Sequence, residues 1–258
     1  MIYSALTLNI QNAQLWDEGN PEACDICIQD TIAFLLAQDA DVIFLQEVEC
    51  GHDGGLQVEP PPHFTELRRR LNGYDGIFAY PPQNELEIPF GLGLAIFSKT
   101  KLRDRSEVIL PASQITFEYG GLSRRPSERL LLTASTVWEG VRVNLANTHL
   151  QAYFVLGTTS DVHRDQRNLV EAEMKKLHGP SILAGDFNAP GEGLVDQFHT
   201  AGFQSAQIEE TTWRREPFVL DHIFYNQALI LHSHVVIPTT SDHHAVRAEF
   251  VFSGRAKK

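Results

Sequence analysis

Six short polar islands interrupt this chain, each at an end of a strand-like apolar run. They are Leu8-Asn9-Ile10, Leu45-Gln46-Glu47-Val48, Asn147-Thr148-His149-Leu150, Gly185-Asp186-Phe187-Asn188, Leu220-Asp221-His222-Ile223 and Ser241-Asp242-His243-His244. A strand built for a core does not ordinarily end in carboxylates and imidazoles, because an unpaired charge at the core boundary is costly. Islands spread over nearly the whole chain point to a fold in which many strand ends meet in one place. The gathered inventory is carboxylates, amides and histidines, with no candidate Ser or Cys nucleophile. That set suits a hard metal ion and an activated water.

Cutting the chain into two independent domains would split such a site, so a single domain over 1–258 is expected. Its length fits one large α/β domain, and 43% hydrophobic residues suffice for a sizeable core. No apolar run is long enough to span a bilayer, which argues against membrane insertion. The opening Met1-Ile2-Tyr3-Ser4-Ala5-Leu6 has no positive region and no cleavage pattern, so no signal peptide is expected. Three cysteines (Cys24, Cys27, Cys50) do not make a disulfide framework. A cytoplasmic location is the simplest expectation. Lys+Arg of 21 against Asp+Glu of 33 gives a net charge of -12. That balance opposes a protein whose main task is to wrap nucleic acid. It leaves a nuclease open, because a bound metal would neutralise several carboxylates. No protein partner can be inferred.

Periodicity predicts strands over Ile2–Ile10, Asp41–Leu45, Gly93–Phe97, Arg129–Thr136, Val141–Ala146, Ser181–Ala184, Leu220–Tyr225, Val235–Ile237 and Ala245–Phe252. Helices are expected over Cys24–Gln38, with Ile28, Ile32, Leu35 and Leu36 on one face, and over His63–Leu71 and Asp161–Leu177. Residues 51–62 read as a loop that ends on a Pro60-Pro61-Pro62 stop. Strands outnumber helices, which favours helices packed outside sheets. No internal repeat is visible.

In Asp186-x-Asn188, alternate side chains of an extended segment face one point while Phe187 turns inward. The carboxylate can take a proton from water, and the amide can hold that water or a phosphate oxygen. A turn capping its own backbone is the plainer reading. Glu47 closes a buried strand, where a carboxylate is costly unless solvated, paired or metal-bound. Mg²⁺ needs only one or two such groups alongside a substrate phosphate. His243 can donate to a phosphate oxygen if Asp221 fixes its other ring nitrogen, with Asp242 left to bind metal. His149 can bond phosphate or protonate a leaving oxygen. Asn9 can support a metal-bound carboxylate. Taken singly, each of these also reads as an ordinary strand end or turn.

Taken in order, Leu8-Asn9, Gln46-Glu47-Val48, Thr148-His149-Leu150, Gly185-Asp186-Phe187-Asn188, Asp221-His222-Ile223-Phe224 and Ser241-Asp242-His243 resemble the endonuclease/exonuclease/phosphatase superfamily. This is a Mg²⁺-dependent group that includes deoxyribonuclease I, abasic-site endonucleases, inositol polyphosphate 5-phosphatases and neutral sphingomyelinases. Gly91-Leu92-Gly93-Leu94-Ala95-Ile96-Phe97-Ser98 is similar to its glycine-led central strand. The resemblance implies an α/β fold of the deoxyribonuclease I type. That is a four-layer sandwich of two mostly antiparallel β-sheets packed face to face and flanked by helices. It also implies hydrolysis of an ester P–O bond, with Mg²⁺ as cofactor and Mn²⁺ able to substitute. A nuclease or phosphodiesterase leads, and a phosphatase or sphingomyelinase-like enzyme is the alternative. The substrate is a phosphoester, nucleic acid among the candidates. Carried over, Glu47 is the principal metal ligand with Asn9 and Asp242 near it. Asp186 orients the attacking water, Asn188 contacts the scissile phosphate, and His243, oriented by Asp221, stabilises charge together with His149. Which group is the general acid stays open, and His222 is expected behind the site.

Arg124, Arg125, Arg214 and Arg215 lie in loop-like segments and are expected to edge the site and bind an anionic substrate, Arg124 and Arg214 foremost. Cys24-x-x-Cys27 lacks a second pair, and a metal or redox role is disfavoured. His232-x-His234 alternates along a strand and reads as a surface pair. Tyr153 and Phe154 either pack on substrate or anchor their loop. A non-catalytic module on the same fold should have lost site residues, and none is missing. A zinc hydrolase lacks its ligand spacing here.

Overall fold

A computed structural model of the chain describes residues 1–21, 24–49, 57–82, 93–119 and 121–255. Its first six-stranded sheet runs in the order β13 (Leu229–Ile237), β14 (Ala245–Phe252), β1 (Tyr3–Asn9), β2 (Val42–Gln46), β4 (Leu94–Ser98), β3 (Asp75–Ala79). Its second runs β11 (Phe203–Ser205), β12 (Asp221–Asn226), β10 (Ser181–Asp186), β9 (Val141–His149), β8 (Arg129–Trp138), β5 (Arg103–Leu110). Each sheet holds one parallel pair at its centre, β1 with β2 and β10 with β9, and is otherwise antiparallel. A small hairpin of β6 (Phe117–Tyr119) and β7 (Leu122–Arg124) stands outside both sheets.

The alternation of side chains along each strand builds the layers. In β1 and β2, Ala5, Val42 and Phe44 face the second sheet, while Leu6, Leu8, Ile43 and Leu45 face outward. Ile182 and Ala184 of β10 meet the first set from the other side, together with Val143 and Leu145 of β9. Outside the first sheet, α1 (Ile28–Gln38) and α2 (Pro62–Arg70) cover the apolar face through Ile32, Leu35 and Leu67. Outside the second, α3 (Asp165–Lys175) and α4 (Glu192–Thr200) do so through Val170, Met174, Leu194 and Phe198. The expected helix–sheet–sheet–helix sandwich is therefore present. Each fully buried aliphatic or Phe side chain contributes about 1.5–3 kcal/mol relative to exposure.

Several expectations change. Helix α1 begins at Ile28, so Cys24 and Cys27 lie before it as free thiols. Leu36 is 45% exposed, off the stripe formed by Ile32 and Leu35. Pro62 opens α2 instead of ending a loop, because a helix's first residue needs no N–H partner. A bulge between Leu231 and Ser233 breaks the alternation expected for His232 and His234. Cys50 and the start of the glycine-led strand, Gly91-Leu92, lie outside the described residues.

Candidate active site

The inner face of each central strand turns from apolar to polar at the same end. Along β1 it reads Ala5, Thr7, Asn9. Along β2 it reads Val42, Phe44, Gln46 and then Glu47. Along β10 it reads Ile182, Ala184, Asp186, and along β9 Val143, Leu145, Asn147, His149. The antiparallel neighbours β12 and β14 begin at this end, at Asp221 and just after Asp242-His243. Each sheet thus delivers two parallel strand tails and one Asp-His entry: Asn9, Glu47 and Asp242-His243 from the first, Asp186, His149 and Asp221-His222 from the second. The six islands meet because the sheets are stacked with these ends together.

Gln46 and Asn147 pin the two ends. Gln46 Nε2 donates to Asn147 Oδ1 at 2.7 Å, and Asn147 Nδ2 donates to the carbonyls of Leu45 and Ala95 at 2.9 Å each. Gly185 allows the close approach within the second sheet. Its φ is +151°, and a Cβ there would sit 2.0 Å from the Thr148 carbonyl oxygen. Glu47 and Asn188 both have positive φ, as do Gln11, Asn12 and Ala13 beside Asn9. Such strain persists only where the surroundings over-determine it.

The side chains above this clamp form one network. Asn9 Nδ2 is 3.0 Å from both Glu47 Oε1 and Asp186 Oδ2, bridging the two carboxylates, while its Oδ1 accepts from the Gln11 N–H at 2.9 Å. Asp186 Oδ1 accepts from the Asn188 N–H at 2.9 Å, so both carboxylate oxygens are held. Asn188 Nδ2 donates to the Leu150 carbonyl at 3.0 Å and lies 2.9 Å from His149 Nε2. His149 Nε2 is 3.6 Å from Asp186 and 3.8 Å from Glu47. His243 Nδ1 lies 2.7 Å from Asp221 Oδ2, and its Nε2 is 3.8 Å from Asp186 Oδ2. Asp242 is held otherwise: Trp213 Nε1 donates to its Oδ2 at 3.3 Å and Arg215 Nε at 3.0 Å.

Burial and charge set the proton affinities. Burial raises the Glu47 carboxyl above its usual range, aided by Asp242, while the Asn9 bond and the charges of His243 and Arg129 oppose it. Burial and the facing Asp221 lift Asp186 to about 7. Burial alone disfavours a charged His243, but Asp221, Asp186 and Asp242 outweigh it and raise the ring to about 10. His149 is held far below normal by burial and by the charges of Arg129 and His243. The site therefore pairs a neutral imidazole, an imidazolium, and a carboxylate poised to exchange a proton near neutrality.

The Endonuclease/Exonuclease/phosphatase family model matches residues 6–243. The chain belongs to that family. A UPF0294 protein of Yersinia enterocolitica is 30% identical over 131 residues, covering 49% of each chain, so the match spans about half that relative's length. Among solved structures, the mannosyl-6-phosphatase Bt3783 of Bacteroides thetaiotaomicron superposes with a TM-score of 0.68 at 18% identity, covering 97% of this chain and 100% of that one. D. rerio TDP2 complexed with single-strand DNA product gives 0.65 at 17% identity, with 97% and 99% covered. Both share the fold.

Enzymes of the family hydrolyse phosphoester bonds and are typically metal-dependent. The donors here fit a hard divalent ion. Glu47, Asp186 and Asp221 place three carboxylates in one cluster, Asp186 and Asp221 buried and Glu47 27% exposed, and the buried Asp221 Oδ1 has no hydrogen-bond partner among the described residues. Ligand atoms of Asp186, Asp221 and His243 all lie within 4.8 Å of one another. Oxygen donors of this kind select Mg²⁺ or Mn²⁺ over softer ions.

Of the remaining sequence candidates, His222 points away from the cluster. It stacks on Phe224 and meets Ser205 Oγ at 3.1 Å. His244 and Arg214 line a neighbouring cavity. Arg124 ends β7 in the outlying hairpin. Phe154 packs on Trp213 and Phe218, and Tyr153 stacks on His163. Sequence reasoning missed Arg129 and Trp213. Arg215, expected with Arg214 to edge the site, binds Asp242 through its Nε. The run Thr212-Trp213-Arg214-Arg215 just before Leu220-Asp221 is the signal that would have found Trp213. No helix among the described residues is long and apolar enough to cross a membrane.

Proposed function

We propose that this chain is a divalent-metal-dependent phosphoesterase that breaks a P–O bond with water, a nucleic-acid phosphodiester being the leading substrate. One observation carries the reading. Asn9, Glu47, His149, Asp186, Asn188, Asp221 and His243, drawn from both sheets, share one network, buried except at Glu47, whose three carboxylates exceed its cations. The same sharing is why residues 1–258 are read as a single domain.

Glu47 would be the principal ligand of Mg²⁺, with Asn9 and Asp242 beside it and Mn²⁺ able to replace the ion. When bound, the ion neutralises phosphoryl charge and acidifies water. Asp186, fixed at both oxygens and lifted to about 7, takes the proton of the attacking water and aims it at phosphorus. The His243 imidazolium, anchored by Asp221, donates to a phosphoryl oxygen as charge develops there. Asn188 holds the scissile phosphate, and neutral His149 completes the polar wall.

Glu47→Gln, Asp186→Asn and His243→Ala should each lower turnover at least about a hundredfold, with thermal melts like the parent's. Near-parental turnover in the Asp186 and His243 variants would reject the mechanism. The substrate is found by metal-activated turnover across nucleic acids, phosphoinositides, sphingomyelin and small phosphoesters. Turnover of the last three alone indicates the phosphatase or sphingomyelinase-like alternative. Metal-dependent binding without turnover on any of them indicates a binding module.

A further inference from the structure

A cavity of about 620 Å³ adjoins the cluster, lined by Arg214, Arg215, His244 and Thr211, with Glu18 and Glu216 exposed at its rim. It shares backbone with the active site. The Arg214 N–H donates to the Asp242 carbonyl at 2.9 Å, and the His244 N–H to the Thr212 carbonyl at 2.7 Å. Thr212 Oγ1 in turn accepts the Asp221 N–H at 3.0 Å. Arg215 joins the two compartments: it lines the cavity, while its Nε binds Asp242 and its guanidinium lies 5.1 Å over the Trp16 ring.

Arg214 is the unexplained group. It forms no ion pair among the described residues, and its side chain makes a single hydrogen bond, from Nη2 to the Thr239 carbonyl at 2.5 Å. Its Nε and the neighbouring His244 Nδ1 are buried and meet no acceptor. A partly buried guanidinium bonded only to a neutral carbonyl keeps N–H donors for a ligand. A planar fork of N–H donors there matches a tetrahedral oxyanion.

We propose that this cavity is a second anion subsite, in which Arg214, with His244 beside it, receives a phosphate of the substrate other than the one cleaved. This rests on the hydrolase reading above and narrows it to substrates that carry a second phosphate. Neighbouring phosphates of a nucleic-acid strand and a compact bisphosphate both satisfy that chemistry.

The binding test needs no turnover. With the metal removed, calorimetric titration with inorganic phosphate, compared between parent and Arg214 variants, reports this cavity. Arg214→Ala should weaken binding roughly ten- to a hundredfold, the range of one charge-assisted hydrogen bond, and Arg214→Lys should recover part of it. Equal affinity in parent and Arg214→Ala, or no binding by the folded parent, overturns the subsite whatever the catalytic outcome. The kinetic test uses matched substrates. One pair is a thymidine dinucleotide with and without a terminal phosphate, and the other is inositol monophosphate against a bisphosphate. The parent should prefer the doubly phosphorylated member, and Arg214→Ala and His244→Ala should erase that preference. A preference within the dinucleotides assigns the anion to a strand, and one within the inositol pair to a compact bisphosphate. A preference that survives both substitutions refutes the proposal. Phosphate binding through Arg214 without turnover of any substrate would instead reject the hydrolase reading and leave an anion site.

Discussion

At the scale of single residues, the identities at this site follow from geometry as much as chemistry. Asp186 can face His149 only because the residue before it has no side chain. Gly185→Ala places a methyl 2.0 Å from the Thr148 carbonyl oxygen. We expect it to cost on the order of 3 kcal/mol or more, the range of strained-backbone and overpacking substitutions, and to separate β10 from β9. Urea denaturation and turnover measure both effects, and a parental unfolding midpoint would show that the contact relaxes freely. The site carboxylates, amides and histidines were legible in the sequence because polar side chains rarely finish a buried strand. Arg129 was not. It opens a strand, where a cation reads as a solvated end, yet it is 8% exposed and its charge acts on Glu47 and His149. Trp213 was missed for the converse reason, since a lone aromatic in a loop carries no period.

At the scale of elements, the polar gradient along four inner faces matters more than any one strand. Beneath the catalytic side chains it passes through the fully buried Gln46–Asn147 clamp. Asn147→Ala strips partners from Gln46 and from the carbonyls of Leu45 and Ala95, which face each other in register across β2 and β4. Leaving buried polar groups unpaired costs about 1–3 kcal/mol each. We therefore expect Asn147→Ala to destabilise by roughly 2–4 kcal/mol and to lower turnover as well. Chemical denaturation checks the first, and a loss under about 0.5 kcal/mol would mean the clamp is idle. Central strands with apolar runs were readable from periodicity. Edge strand β5 was not, because Arg103 to Glu107 are all exposed and charged or polar, which protects an edge but looks like a loop. Helix α4 escaped because Leu194 and Phe198 are too few apolar positions to establish a helical period.

At the scale of the whole molecule, the two sheets present matching ends, and the same Asp-His entry serves opposite purposes in each. His243 turns into the cluster and is charged, whereas His222 turns outward and is kept neutral, its affinity pressed to about 4 by burial despite the nearby Asp221. A depressed histidine gives its full stabilisation above the unfolded value of about 6.5 and loses it as pH falls toward 4. Between pH 7 and 5 the loss is about 2 kcal/mol from this residue. Urea midpoints compared over that range should show a flatter slope for His222→Gln than for the parent. Identical slopes would place the acid sensitivity elsewhere. The sequence by itself determined the alternating core, the helix–sheet class and the residue types of the cluster, because those depend on local period and on the cost of burying charge. Only the tertiary structure decided that Asn9 bridges two carboxylates, that Trp213 and Arg215 hold Asp242, and that Arg214 lines a cavity beside the cluster. Those outcomes depend on how two sheets stack and which strand ends they bring together, over separations that no local pattern encodes.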